Sequence, residues 1–489
     1  MSNNGGRQEL EKSLNLKDVI ALAFGTMIGW GWVMLCGSWV ANGGVMGAIL
    51  AFLLGGVMAL FVGLTYAELT PALPLAGGEL VFSYRAMGYN VSYFCGWMIT
   101  LAYLGVACWE GPALSNALIF LFGGADKVPG GSTVLYSLQG SDVTLTFLVV
   151  GMVGAIVMTV VNLKGAKASA IFQTITTVAL AIGGIAFFVC GVATGSIKNC
   201  VPMFTDGAGL VKVILAVPAM FVGFDVIPQA AEEMDIPLGK IGKVMVIAIG
   251  MGAAWYILMI IGCAFSGAPE IRDSFTNDDA CVPVAALFDY TLGGTGMGIF
   301  SKIMILCAMG GILSSWNGFI VGASRVLFSM SRAHMLPRVF SKVGEKSGAP
   351  TAAVAMVGIL VMLAPLLGRS ALVWFVDAAA LGTVIAYTLV SLSYCILKKT
   401  EPELERPFRA PGGMATGVIA VVVALFMVSL YFPIYSPAPL TTIEWYLVGG
   451  WVVLGIIFYI INKCTANGKV TKQEVEFQMF GEKYSRKFD

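Results

Sequence analysis

The chain has 489 residues, is 58% hydrophobic and only 12% charged, and carries a mean hydropathy of +0.85 with a formal net charge of +1. A soluble domain is about 25% charged, so this composition excludes a water-soluble fold and describes an all-α integral membrane protein embedded in a lipid bilayer. The near-neutral balance leaves no basic patch for nucleic acid, and none of the ten cysteines falls in the paired CxxC spacing of a zinc site.

A hydrocarbon core of about 30 Å asks for about 20 apolar residues per helix. Twelve such runs follow in order: 17–41, 44–69, 91–122, 143–163, 168–194, 209–234, 242–267, 297–331, 350–368, 371–397, 413–433 and 442–462. The polar N-terminal tail is short and the first run is too long for a signal-peptide core, so no cleavable signal is expected. The expected organisation is a tail over 1–16, a ten-helix core over 17–400, a loop over 401–412, two further spans over 413–463 and a tail over 464–489.

Lysine and arginine accumulate on the cytoplasmic side of membrane proteins. With the N-terminus inside, Lys127, Lys198, Lys212, Arg272, Lys302 and Arg369 are the ones of the 29 that fall outside, and Lys469 and Lys487 join the inner majority. The outer loop 268–296 is acidic through Glu270, Asp273, Asp278, Asp279 and Asp289. Both termini are therefore expected in the cytoplasm and the protein in the plasma (inner) membrane as a multi-pass chain. Cys200 and Cys281 share the outer side, where two free thiols are expected in preference to a disulfide.

Two spans are poor helices at their centres. Span 1 reads "GTMIGWGWV" with Gly25, Gly29 and Gly31, and span 6 reads "AVPAMFVGFDVIPQAAEE" with Pro218, Gly223, Asp225 and Pro228. Glycine costs about 1 kcal/mol against alanine inside a helix, and proline removes a hydrogen bond and clashes one turn back. Small residues also serve close helix packing, which would explain span 1 alone. Breaks at positions 1 and 6, the first spans of two five-span halves, instead point to the substrate site of a secondary transporter. Unwound backbone at mid-membrane lines a cavity, and its free amides and positive helix ends can hold a carboxylate.

Four stretches together resemble the amino acid, polyamine and organocation (APC) transporter superfamily: "GTMIGWGWV", "FVGFDVIPQAAEEMDIP", "GASRVLFSMSRAHMLPRVFSKV" followed by "GAPTAA", and "ILKKTEPELERPFRAPGG". The resemblance implies a leucine-transporter-like 5+5 inverted repeat with broken helices 1 and 6, plus two peripheral helices. It also implies a permease or exchanger moving an amino acid or amine by alternating access, with no enzyme chemistry, no cofactor and no metal. "ACWEGP" in span 3 is similar to the arginine/agmatine antiporter branch, which implies Ala107, Cys108 and Pro112 as wall residues. Trp30 replaces the small residue usual between the helix 1 glycines. The lysine that many proton-coupled relatives carry in helix 5 aligns here with Leu180 or Ala179.

The candidate substrate-binding set is Gly25, Ile28, Gly29, Trp30, Gly31, Trp32, Ala107, Cys108, Trp109, Pro112, Phe221, Gly223, Phe224, Asp225 and Phe319. An ionisable side chain inside a span is costly and marks function by default. Asp225 could hold a substrate ammonium, carry a coupling proton or cap the second half of helix 6. Glu110 lies two residues from Cys108, about 200° round the helix, so it should point away if Cys108 faces the substrate, and it either serves coupling or packs and pairs with a neighbouring helix. Glu232 and Glu233 near Lys240 form either an inner gate or a solvated helix end. Ser314 and Ser315 could offer oxygens to a sodium ion or bond back to their own helix. Aromatic residues around one carboxylate can hold an alkylammonium by cation–π contacts worth about 0.5–2 kcal/mol each, with Phe221 as lid. The competing substrate is a neutral amino acid with its carboxylate on the amides of Ile28 to Gly31. A transporter-like nutrient sensor or a channel is the alternative of a different class, and the short charged C-terminal tail favours a transporter.

Overall fold

In the computed structural model, residues 7–486 are described except Gln139, Asp279, Ala280, Tyr435, Pro437, Ala438 and 467–470. Asp279, Lys469 and Lys487, counted above for orientation, lie outside the described residues.

The N-terminal segment leads into α1 (Leu16–Ile28), which begins at a capping box: the Asn15 side chain accepts from the Lys17 and Asp18 amides while Asp18 accepts from the Asn15 N–H. α1 stops at Gly29, whose φ of 46° and ψ of −146° no side-chain-bearing residue adopts readily. The chain restarts as α2 (Gly31–Ala72), which bends at Gly44 (φ 71°). There the glycine lets the backbone of Met203 and Phe204 lie against it, closer than a Cβ would allow.

Next come a short helix α3 (Glu79–Met87) and the long α4 (Tyr89–Phe122). An antiparallel hairpin, β1 (Val134–Leu138) and β2 (Ser141–Thr144), then connects to α5 (Leu145–Leu163) and α6 (Ala166–Thr194). The sixth predicted span is discontinuous: α7 (Gly207–Met220), an unwound stretch, α8 (Val226–Gln229) and a 3-10 turn (Ala231–Glu233). α9 (Leu238–Ser266) crosses to the loop that the sequence left unstructured, which holds α10 (Pro269–Thr276) and α11 (Pro283–Thr291), each started by a proline in its first turn. The remainder is α12 (Ile299–Arg332), α13 (Thr351–Leu363), α14 (Gly368–Thr400), α15 (Met414–Ser429), α16 (Thr442–Ala466) and α17 (Lys472–Tyr484).

Among the described residues, eight continuous helical stretches are long and apolar enough to cross a membrane, accompanied by the shorter apolar α7 and α15. The difference from twelve runs has local causes: α2 joins the first two runs across Gly44, a 3-10 turn joins α13 to α14, α7 ends at the break, and α15 is short. α4 and α12 are the most enclosed spans. α6 shows Ile171, Ile175, Val178, Ile182, Ile185 and Val189 outward, an apolar stripe at helical spacing. In water such a stripe would be a large exposed patch; it suits hydrocarbon.

Both ends of the chain meet on one face, called here the terminal face. Arg7 Nε donates to the Gln478 carbonyl of α17 (3.2 Å), and Leu14 bridges to Met234. The cysteines are free, Cys200 and Cys281 among them, both buried.

Candidate functional site

The two breaks meet. Gly223 has φ +129°, and a Cβ there would lie 2.7 Å from Met27 N and 2.9 Å from Thr26 C, so the unwound stretch after α7 rests directly on the last turn of α1. Gly31 lies against the Met220 side chain, whose Sδ a Cβ there would meet at 2.9 Å. Tyr256 of α9 joins the two: its hydroxyl is 2.8 Å from the Met220 carbonyl and 3.1 Å from the Met27 carbonyl. These are the orphan carbonyls of interrupted helices, and with one hydroxyl proton between them Tyr256 serves both. Sequence reading missed Tyr256 because a tyrosine in an apolar span looks like packing.

Asp225 is fully buried beside this junction. Its Oδ1 accepts from the Gly223 N–H (2.7 Å) and its Oδ2 from the Tyr103 hydroxyl (3.0 Å). The carboxylate thus turns back onto the break and does not cap α8. Phe224 follows the glycine and packs between Tyr66 (5.5 Å) and Tyr387 (5.4 Å), and Tyr387 also reaches Asp225. Phe319 of α12 stands 5.9 Å from Tyr103. Phe221 is buried against Tyr256 (5.8 Å).

α4 presents a different face from the expected one. Tyr103 touches Asp225, and Ala107 and Glu110 follow at four and seven residues, within about 40° of it by the helical period. Glu110 accordingly accepts from Ser315 of α12, and Ser315 lies against Gly29, where an added Cβ would meet its Cβ and Oγ at 3.4 Å. Glu110 therefore points to the break in α1. Cys108 is about 140° away from Tyr103; it is buried, Trp109 is half-buried, and Pro112 is buried two residues past Glu110. The expectation that Glu110 turns away followed from taking Cys108 as the facing residue, and it is corrected here.

Ser314 donates to the Gly25 carbonyl (2.9 Å) as well as to its own helix at Gly311 (3.1 Å). On α6 the side chains that hydrogen-bond to α1 are Gln173 and Thr177, both 3.3 Å from the Ala21 carbonyl. Gln173 continues into a buried amide network, accepting from Asn317 (2.9 Å), which in turn accepts from Asn162 and Ser169. Gln173 and Thr177 are neutral donors, and the positions that the resemblance aligned with a lysine, Ala179 and Leu180, are apolar. Ile28 and Trp30 are buried at the break, while Trp32 packs edge-on to Trp255 (5.6 Å) and against Phe187 (6.4 Å).

Below the breaks the terminal face is closed by charge. Glu232 is held by both guanidinium nitrogens of Arg332 (2.9 Å each) and by Arg7 (3.2 Å), and it accepts the Ala76 and Leu10 amides. Glu233 forms a two-point pair with Arg325 (2.9 Å each) and its carbonyl accepts the Ser13 and Leu14 amides. The partners are three arginines; Lys240, the cation expected from sequence proximity, is not among them. Farther out, Glu401 is gripped by Arg85 and Arg486.

On the opposite side a cavity of about 410 Å³ lies between α7, α14, α15 and α16, lined among others by Lys212, Asp377 and Glu444. It shares Pro218 and Met427 with a void of about 10 Å³ at Phe221 and Tyr387. That void has room for about one water, and it lies between the 410 Å³ cavity and the breaks.

A family model described as amino acid permease matches residues 14–458. Among similar proteins are a branched-chain amino acid permease of Bacillus subtilis (25% identical, over 93% of this chain and 94% of that protein) and a methylthioribose transporter of the same organism (23%, over 93% and 94%). A vacuolar cationic amino acid transporter of Arabidopsis thaliana is 25% identical over 82% of this chain and 65% of its own.

Proposed function

Because the chain belongs to the amino acid permease family, a family of multi-pass membrane transporters and not of enzymes, we propose that it carries a small amino acid or amine across the plasma membrane by alternating access. The fold reading that goes with this is twelve spans in a leucine-transporter-like 5+5 inverted repeat, the core over 17–400 and two peripheral helices over 413–463. The terminal face is the cytoplasmic one, as the lysine and arginine distribution supports.

The observation that carries the proposal is the junction of the two breaks, where Gly223 rests on Thr26 and Met27 beside the buried carboxylate of Asp225. The amides at the start of α2 have no carbonyl one turn back, so they offer donors for a carboxylate, while Asp225 offers an acceptor for an ammonium. An amino acid has both groups at the spacing of one carbon. Asp225 and, through Ser315 at Gly29, Glu110 serve coupling, and the Glu232 and Glu233 pairs serve as the inner gate. Ser314 and Ser315 remain candidate ligands for a sodium ion, with the proton as the other coupling ion. A second reading, an alkylammonium substrate, is favoured by Phe224, Tyr387, Tyr66 and Tyr103 gathering round Asp225, an aromatic enclosure with one negative charge.

The test is counterflow in liposomes with a pool of labelled amino acids and amines, which needs no assumption about a driving ion. Wild type should exchange at least one amino acid, and Asp225→Asn should abolish that exchange. Exchange of amines with no response to any amino acid would overturn the first reading in favour of the second.

A further inference from the structure

Most buried carboxylates in this protein are visibly neutralised. Glu68 pairs with Lys398 (3.2 Å) and Arg406 (3.0 Å), Glu232 with Arg332 and Arg7, Glu233 with Arg325, and Glu476 with Arg85 (3.4 Å). Asp289 takes the amides of Gly296, Gly298 and Phe300. Two fully buried carboxyls that share one network, Asp225 and Glu79, have no lysine or arginine within ion-pair distance among the described residues.

Glu79 opens α3 straight after Gly77 and Gly78, both in left-handed conformations (φ +104° and +35°). This tight turn folds the loop under α8: a Cβ on Gly78 would lie 2.8 Å from Pro228 Cβ. Gln229 Nε2 then donates to Glu79 Oε2 and stands 3.5 Å from the Tyr103 hydroxyl, which itself donates to Asp225. A continuous polar string therefore runs Asp225, Tyr103, Gln229, Glu79. The other groups facing the pair are tyrosines and one thiol: Tyr66 from α2 beside Glu79, Tyr387 from α14 beside Asp225, and Cys95 from α4 against the Glu79 carbonyl (3.8 Å). The Tyr66 hydroxyl is the donor that stands beside Glu79, whose Oε1 takes no other partner among the described residues.

We propose that Glu79 and Asp225 form a buried proton-binding pair that holds one transferable proton, making Glu79 the second carboxyl of the coupling site. The inference rests on the permease reading above. Two anions taken out of water without a cation cost several kcal/mol each, and two carboxyls in one apolar site relieve this by retaining a proton between them. The position of Glu79 gives the proton a direction. The loop carrying it also puts the Ala76 amide on Glu232 (3.1 Å), so the loop that holds the inner carboxyl also touches the ion pairs closing the terminal face. A proton arriving at Asp225 from the cavity side and leaving from Glu79 would cross the same barrier as the substrate.

The experiment uses the full chain in liposomes, with the amino acid most active in counterflow as probe. A gradient of about one pH unit, acid outside, is worth about tenfold in accumulation for one proton. Wild type should show that accumulation. Glu79→Gln should keep counterflow at a reduced rate, without acid stimulation, and accumulate within about twofold of the no-gradient level. Glu79→Asp, which retains an acid, should restore the gradient response and so separates a lost carboxyl from a lost fold. Infrared difference spectra at pH 7 should show a protonated-carboxyl band in wild type that Glu79→Gln removes. Gradient-driven accumulation by Glu79→Gln equal to wild type overturns the proposal, as does a wild type lacking that band. A wild type that performs counterflow but ignores the gradient overturns the proton pair while leaving the permease reading intact. Absence of counterflow for every amino acid and amine fails the permease reading itself, and the infrared comparison then decides on the pair alone.

Discussion

Arg325→Met removes the two-point partner of Glu233, both side chains being about 1% exposed. Breaking a buried pair from one side leaves an uncompensated charge and costs about 3–5 kcal/mol, whereas replacing both partners by apolar groups is often neutral or stabilising. The affected structure is local: the Glu233 carbonyl receives the Ser13 and Leu14 amides (2.9 and 3.0 Å), and the Asp235 amide is given to Leu14 O (2.9 Å). Opening of the terminal face exposes those three amides, so their hydrogen-exchange protection reads the closing equilibrium directly. The loss should lower protection by about 10²- to 10⁴-fold, the equivalent of the energy above at 1.4 kcal/mol per decade. Amides in the middle of α9 should be untouched, and the double variant Arg325→Met with Glu233→Met should recover most of the protection. Exchange by mass spectrometry on detergent-solubilised protein resolves this. If Arg325→Met leaves Ser13, Leu14 and Asp235 within about threefold of wild type, under 1 kcal/mol, the pair does not hold the face shut and its role as a gate falls.

Two further outcomes follow from the same geometry. Tyr256→Phe strips the hydroxyl from the Met220 and Met27 carbonyls; a buried acceptor left unpaired costs about 1–3 kcal/mol, so initial uptake should fall by about five- to a hundredfold at equal protein, and wild-type uptake would remove Tyr256 from the junction. Burial alone would raise the Glu401 carboxyl, but hydrogen bonds and charge from Arg85 and Arg486 hold it below its ordinary value. A lowered value means the tie is intact at neutral pH and lost as pH falls through the depressed titration. Proteolysis of the segment beyond residue 464 should therefore accelerate only at a pH below the ordinary carboxylate range of about 4.3, and Arg85→Gln should move that onset upward.

The breaks were legible because they violate local rules. Three glycines in span 1, and two prolines, a glycine and an aspartate in span 6, are errors in a membrane helix unless the helix is meant to stop there. The terminal ion pairs were half legible. Glu232 and Glu233 could be named from their place at a helix end, yet their partners come from α12 and from the N-terminal segment, 92, 100 and 225 residues away. Nearness in the chain pointed to Lys240, and sequence distance carries no information about which arginine the fold delivers. The face of α4 failed for a related reason. It is apolar on almost every side, so no hydrophobic pattern fixes its rotation; tertiary bonds such as Tyr103 to Asp225 and Ser315 to Glu110 set the phase that brings Ala107 and Glu110 to the breaks.

Glu79 shows where sequence reasoning ends. An acid in the first turn of a helix after two glycines reads as a solvent-facing residue stabilising the helix N-terminus, and nothing within ten residues argues otherwise. Its burial is made by parts that are each unremarkable alone: a left-handed Gly77–Gly78 turn, a four-residue helix α8 that ends early enough to show Gln229, and a tyrosine on α4 aimed at the same spot. The cost of hiding that carboxylate without a cation is a property of the assembled bundle, and it is paid only once α3, α4 and α8 have closed round it. A charge whose expense arises from tertiary structure has no signature in the chain, which is why the carboxyl with the strongest claim on a proton was the one that composition, spacing and family likeness all passed over.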